Sequence, residues 1–326
     1  MKDRVSIVVC TKDRREDLRR ALASIADAGA EGAEIVVVEE TDAPAPVAGT
    51  TYVAIPRESR GFGHARNRGV RAAAGEILVF FDDDCIATPG WLKALLEPLR
   101  ADAAVAGVAG SVLVRDCGAI GYAESILGFP GGGVRYLDAS GGRAVATRHL
   151  STCNCAYRRS AVERAGGFVT AAAYGGEDAL LAERVSAAAR CVYAPSAAVY
   201  HRPRGRLLDV FRWFVRRGRS EIQILGFRAD PRGATAQALT SSIVLRGILG
   251  LALLGLLRLP VGPMVAAVAL AYYAAMLWRF RWALRWPSHR RAWALVPVVK
   301  LVMDVGTDVG RARELLARLA GPGGRA

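Results

Sequence analysis

Through residues 1–201, short apolar runs of strand length alternate with stretches of helical period. Val5–Cys10 (Val-Ser-Ile-Val-Val-Cys) reads as a buried strand, and Arg15–Ala28 sets Leu18, Leu22 and Ile25 on one helical face. Ile35–Val38, Tyr52–Ile55 and Ile77–Phe81 are three more runs of strand type. Arg66–Ala74 reads as a short helix with Gly75 as its C-cap. This rhythm predicts an α/β fold, a mostly parallel sheet flanked by helices. Ligands of such sheets bind beyond the carboxyl ends of the strands. Two acidic clusters fall at those ends, Glu39-Glu40 and Asp82-Asp83-Asp84. The glycine-rich stretch 128–143 reads as a mobile loop or an ordinary linker.

After His201 the pattern changes. Arg202–Arg219 is basic, with Leu207, Leu208, Val210, Phe211, Phe214 and Val215 interspersed, the pattern of a basic amphipathic helix on a membrane surface. Gly247–Leu257 then runs without a charge, and so does Leu259–Trp278. A helix of about 20 residues spans roughly 30 Å, the thickness of a bilayer's hydrocarbon core. The expected arrangement is an apolar helical hairpin, Leu239–Leu257 and Leu259–Trp278, turning at Arg258-Leu259-Pro260. Arg246 inside the first span is costly unless it finds a partner, so an interfacial or re-entrant hairpin stays open beside a spanning one. A buried soluble core is the third alternative.

Charge sharpens this division. The chain of 326 residues carries a formal net charge of +14, yet residues 1–201 hold 23 Lys/Arg against 24 Asp/Glu. Residues 202–326 hold 21 against 6, so the basic character is C-terminal. Long apolar runs beside it favour lipid over nucleic acid as the anionic partner. By the positive-inside rule Arg202–Arg232 and Arg279–Arg291 both face the cytoplasm. Val5–Cys10 is too short for a signal-peptide core, so the N-terminus is expected to stay cytoplasmic. An apolar content of 52% excludes a disordered chain. Cys153-Asn-Cys155 is too tight for a metal knuckle, and the six cysteines read as free thiols.

Candidate chemistry lies with the acids. Three carboxylates at a strand end repel one another unless a cation joins them, and Mg²⁺ or Mn²⁺ shared with substrate phosphates is the usual solution. A solvated, helix-capping turn is the plainer reading of Asp82-Asp83-Asp84. Gly175-Gly176-Glu177-Asp178 opens a helical run over Ala179–Ala189, where carboxylates cap the helix or serve as a base toward a hydroxyl. His201 closes the apolar stretch Val192–Tyr200, as a structural histidine or a ligand of the same ion.

Six segments in order resemble the inverting family 2 glycosyltransferases of GT-A fold: Val5–Arg14, Glu34–Glu40, Gly63–Gly69, Phe81–Asp84, Gly166–Phe168 and Gly176–Asp178. The resemblance implies transfer of a hexosyl or deoxyhexosyl group from a nucleotide-diphosphate sugar to a hydroxyl. It implies nucleotide-sugar contacts at Thr11, Arg14, Glu40, Arg66, Asn67, Asp82 and Asp83. Glu40 stands where the family usually has an aspartate that binds the base. It implies a metal held by Asp84, Asp82 and His201 in an Asp-x-Asp arrangement, a base at Asp178 with Glu177 as its neighbour, and Asn154 on the acceptor side. Residues 1–201 become a catalytic domain, with a nucleotide-sugar half (1–100) and an acceptor half (101–201). Residues 202–235 become a basic membrane-surface segment, and 236–326 an apolar helical membrane region with a basic tail. A lipid-linked or membrane-presented glycan acceptor at the cytoplasmic face of the membrane, in cell-envelope glycan synthesis, fits this layout. The alternatives are a membrane-anchored nucleotide-sugar-binding module without catalysis and a nucleotidyltransferase. The latter normally has a glycine-rich loop after strand one, where this chain has Thr11-Lys-Asp-Arg14.

Overall fold

The computed structural model describes residues 4–58, 60–257 and 260–320. Met1–Asp3, Arg258, Leu259 and the basic tail from 321 lie outside the described residues. In chain order the first elements are β1 (Val5–Lys12), α1 (Arg15–Asp27), β2 (Glu34–Glu40), β3 (Thr51–Ile55), α2 (Phe62–Ala72) and β4 (Ile77–Asp82). There follow β5 (Cys85–Ala87), α3 (Trp91–Ala101), β6 (Val105–Leu113), α4 (Ala119–Ile126), α5 (Gly133–Ser140) and β7 (Val145–Ala146). Next come β8 (Asn154–Arg158), α6 (Arg159–Arg164), α7 (Glu177–Ala188) and β9 (Arg190–His201). The C-terminal helices are α8 (Leu207–Gln223), α9 (Pro231–Ser241), α10 (Ile243–Leu256), α11 (Val261–Arg279) and α12 (Val296–Leu319).

Two compact units share the chain: residues 1–115 with 128–202, and residues 116–127 with 203–326. The first is built on a nine-stranded sheet of order β3-β2-β1-β4-β8-β6-β9-β5, with β7 beside β9. Strands β3, β2, β1 and β4 are mutually parallel; β8 runs antiparallel to β4 and β6, and β5 antiparallel to β9. Strand β1 shows why its central positions are apolar. Val5, Ile7 and Val9 face one core with Leu18, Ile25, Trp91 and Leu95; Val8 faces the other with Val36, Phe80, Tyr157 and Leu181. A parallel strand covered on both faces has no polar side to display.

Two local expectations are corrected. Helix α2 starts at Phe62 and ends at Ala72, before Gly75. Gly75 is not its cap; a Cβ there would stand 2.6 Å from the Ser6 backbone nitrogen, so its role is close approach of two chain segments. Residues 128–143 are not one loop. They contain α5, bounded by left-handed Gly132 and Gly141, with Val134 buried.

The second unit is helical. Along α8 and α12 three glycines bring the backbones together: a Cβ at Gly218 would stand 2.0 Å from the Thr307 carbonyl oxygen, and one at Gly310 2.1 Å from that of Val215. Gly306 makes a similar approach to Phe211. Ion pairs Arg219–Glu314 (3.0 Å) and Arg311–Glu221 (2.7 Å) flank the seam. Val210, Phe214, Val215 and Ile222 of α8 are buried. Much of the apolar stripe of α8 is therefore covered by packing on α12, while Leu208 stays exposed. The apolar faces of α10 and α11 are different: Ile248, Leu249, Leu256, Val268 and Leu270 are exposed. Helix α11 is long and apolar enough to cross a membrane, and α9 with α10 passes the same test as a pair bent by 56°.

Candidate active site

The site is assembled where β1, β4 and β9 end. Three successive carboxylates stand at the end of β4, Asp82 as its last residue and Asp83 and Asp84 in the turn that follows, and they point in different directions. Asp83 points inward and is fully buried. Its carboxylate accepts a hydrogen bond from Thr11 Oγ1 at 2.6 Å and meets the Arg14 guanidinium at 2.5 Å. Burial pushes the Asp83 carboxyl up to about 7, against the pull of Arg14 and Thr11. Asp84 and Asp82 are partly open. Arg14 also reaches Asp84 Oδ2, at 2.9 Å. Asp84 Oδ1 faces His201 Nε2 at 3.3 Å, because antiparallel pairing of β5 with β9 sets His201 opposite Cys85.

Asp82 faces Arg66 instead. This arginine lies on α2, buried, with its guanidinium near the rings of Phe62 and Phe168. One end of it donates to Asp82 Oδ1 (3.3 Å) and the other to Glu177 Oε1. A single cation thus ties the acids after β4 to the first turn of α7. Burial opposes the charge on Arg66, yet Glu177 and Asp82 hold its pKa above the ordinary range. Burial also pushes the Glu177 carboxyl up, to about 7, although Arg66 pulls it down. Glu177 Oε2 is buried without a hydrogen-bond partner. Asp178 is half-buried, accepts the Ala179 N–H at 2.8 Å, and is close enough to raise the pKa of Arg66. Gly63 makes the approach of α2 possible: a Cβ there would stand 2.1 Å from the Val169 carbonyl oxygen.

Several expected contacts take other forms. The amide of Asn67 is spent on the backbone of Phe168, donating to its carbonyl at 2.8 Å and accepting its N–H at 3.0 Å. It clamps the Gly166–Phe168 turn instead of reaching toward a donor. Asn154, expected on the acceptor side, is placed inside the sheet's core. It is buried, accepts the Trp91 indole N–H at 2.7 Å, and donates to the carbonyls of Ser111 and Ala197. Both of its N–H donors are thus taken up by the backbone. Thr11 and Asp83 face each other, so they brace the site from behind. Glu40 pairs with Lys12 at 2.6 Å, and its neighbour Glu39 is the buried one, bonded to Tyr52 and Arg15. Sequence reasoning missed both: pairing of β3 with β2 sets Tyr52 opposite Val37, two residues from Glu39, and Arg15 reaches it from the start of α1.

Among the described residues no three His, Cys, Asp or Glu side chains gather to hold a metal ion. Asp84 and His201 do form a two-residue donor pair, a hard oxygen beside an imidazole nitrogen. The carboxylate of that pair suits Mg²⁺ or Mn²⁺, which take few protein ligands and complete their shell with phosphate and water. Asp82, also expected as a ligand, meets Arg66 through Oδ1 at 3.3 Å, as Asp84 meets Arg14 through Oδ2 at 2.9 Å.

Residues 6–166 match the family model of glycosyl transferase family 2, which supports a family 2 glycosyltransferase domain over that stretch. A pre-mycofactocin glycosyltransferase of Mycobacterium tuberculosis is 28% identical over 254 residues, covering 74% of this chain and 50% of that protein. A glucosyl-dolichyl phosphate glucuronosyltransferase of Haloferax volcanii is 28% identical over 120 residues, covering 34% of this chain and 38% of that one. The chain thus spans about half or less of the length of these curated relatives. Among solved structures, a mannosyltransferase from Pyrobaculum calidifontis in complex with GDP-Man and Mn²⁺ superposes with a TM-score of 0.54 at 20% identity, covering 94% of this chain and 87% of that one. The fold is GT-A-like, a mixed sheet flanked by helices with an apolar C-terminal helix.

Proposed function

We propose that this chain is an inverting glycosyltransferase that moves a hexosyl or deoxyhexosyl group from a nucleotide-diphosphate sugar to a hydroxyl of a lipid-linked or membrane-presented acceptor. The observation that carries this reading is the Arg66 guanidinium, which touches both Asp82 and Glu177 and so puts two distant acidic motifs in one hollow. A site for binding alone has no need of a second, half-open carboxylate beside the first cluster.

In this reading Asp178 takes the proton of the acceptor hydroxyl as its oxygen attacks the anomeric carbon. The bond from that carbon to the diphosphate oxygen breaks on the opposite face, and the configuration inverts. Glu177 stays fixed on Arg66 and holds the first turn of α7, so Asp178 keeps its aim. Asp82 lies toward the ribose, and Arg14 and Glu40 toward the nucleoside. Mg²⁺ or Mn²⁺, when bound by Asp84 and His201, would neutralise charge on the departing diphosphate. The Mn²⁺ of the archaeal mannosyltransferase and the dolichyl-linked substrate named for the Haloferax relative support the metal and the lipid-linked acceptor.

The exposed apolar faces of α10 and α11 support membrane anchoring, and the basic flanks favour the cytoplasmic face by the positive-inside rule. Asp178→Asn tests the catalytic part. Turnover is expected to fall by about 10²–10⁴-fold, the worth of a positioned base, with donor affinity by calorimetry unchanged. Undiminished turnover in that variant would sink the assignment.

A further inference from the structure

We infer that the turn following α11 is a docking surface for the anionic headgroups of bilayer phospholipids. This rests on the membrane reading above and adds to it the class of lipid and the residues that meet it. From 231 to 303 the chain has no Asp or Glu and nine Lys or Arg. Its arginines gather just where the apolar helix stops. Helix α11 ends at Arg279, and the chain then folds into two short 3₁₀ turns, Arg281–Arg285 and Arg290–Leu295. Phe280, Ala283, Ala292 and His289 are buried and root these turns in the helical unit. The Trp293 indole donates to the Leu277 carbonyl at 3.0 Å, which fastens the second turn to the end of α11.

What remains outside is cationic and aromatic. Trp278 is 68% exposed, and the Arg281 guanidinium lies 3.9 Å above its ring while donating to the Trp278 carbonyl. Stacking leaves the charge intact and holds the guanidinium in place, so less side-chain freedom is lost when it meets a phosphate. Among the described residues Arg279, Arg281, Arg290 and Arg291 are exposed and none pairs with a carboxylate. Exposed guanidinium groups beside indole, at the end of an apolar helix, complement a phosphodiester layer that carries net negative charge. An uncharged headgroup layer offers them no net attraction.

The test uses the full chain purified in mild detergent, melted in the presence of phosphatidylglycerol, phosphatidylcholine or inorganic phosphate. Phosphatidylglycerol is expected to raise the melting temperature and phosphatidylcholine not to. The triple variant Arg281→Gln, Arg290→Gln, Arg291→Gln should need about 100-fold more phosphatidylglycerol for half the effect, at roughly fivefold per arginine near an anionic surface. The matching arginine-to-lysine triple, which keeps charge and the fold's stem packing, should retain most of the effect. A control pair on α8, Arg212→Gln with Arg216→Gln, should leave it unchanged. Equal gains from the two lipids, from free phosphate, or in the glutamine triple would overturn the inference. A chain that stays monodisperse with no detergent would instead remove the membrane reading beneath it.

Discussion

Arg66→Met takes away the cation that joins the two acidic motifs and replaces it with a side chain of similar length. The guanidinium is 8% exposed and the Glu177 carboxylate 2%. Removing one partner of a buried pair costs about 3–5 kcal/mol, because the other charge is left uncompensated. Glu177 has an escape, since burial already pushes it up to about 7 and it takes up a proton when its counter-charge goes. Near neutral pH the expected loss is therefore about 2–3 kcal/mol, or roughly 4–12 °C in melting temperature for a unit of this size. The pH dependence has a definite sign. A carboxyl whose folded pKa lies above its unfolded value contributes stability below the unfolded pKa, and loses it as pH rises through the folded one. In the native chain that loss is complete a little above pH 7. In Arg66→Met the folded pKa is higher, so the loss continues, and the gap between the two proteins should widen from pH 7 to 9 by up to about 1.4 kcal/mol per unit. Denaturant or thermal melts of the full chain in detergent at four pH values measure it. Adding Glu177→Gln should recover most of the stability and none of the turnover. A gap that is flat with pH, or a double variant no more stable than the single one, would refute the account of Arg66 as the compensating charge.

Two further outcomes follow from the helical unit. Gly310→Ala and Gly218→Ala each drive a Cβ into a backbone carbonyl at 2.1 and 2.0 Å, so each should cost about 1–3 kcal/mol in melts, as overpacking does. Gly247→Ala, in α10 with open space around it, should be neutral or stabilising by up to about 1 kcal/mol, the difference in helix propensity. His289 is buried against Ser125 and Tyr122, and burial lowers its pKa from 6.5 to about 4. Its contribution is full above pH 6.5 and is lost as pH falls toward 4; the melting temperature of His289→Gln should show a shallower decline across that window.

Much of the first unit was legible from residue order because its signals are local. A strand buried on both faces is apolar over most of its length, so β1, β2 and β4 announce themselves, and the acids at the carboxyl ends of β2 and β4 mark a ligand-binding edge. Glycines were less legible. The same residue that caps a helix elsewhere serves at Gly75 as a point of close approach, and in α8 and α12 as the floor of a helix seam. In α8, amphipathic period showed a buried face but not what buries it; a membrane and a neighbouring helix ask for the same pattern. α10 and α11 touch α12 on one side only and retain exposed apolar surface at Ile248, Leu249, Leu256, Val268 and Leu270.

Residue type by itself thus determined which side chains could do chemistry here: three aspartates after a strand, a Glu-Asp pair opening a helix, a histidine closing the last strand. Tertiary structure decided which of them are available. Where the strand ends in a turn, Asp83 goes inward to Thr11 while Asp82 and Asp84 stay partly open. Asn67 and Asn154 carry the polarity of binding residues, but the backbone groups around them, which must be paired once buried, claim their amides first. No pattern in the chain could state that Arg66 would lie between Asp82 and Glu177. That contact depends on helix α2 packing close to α7, a distance set by the fold and not by sequence separation.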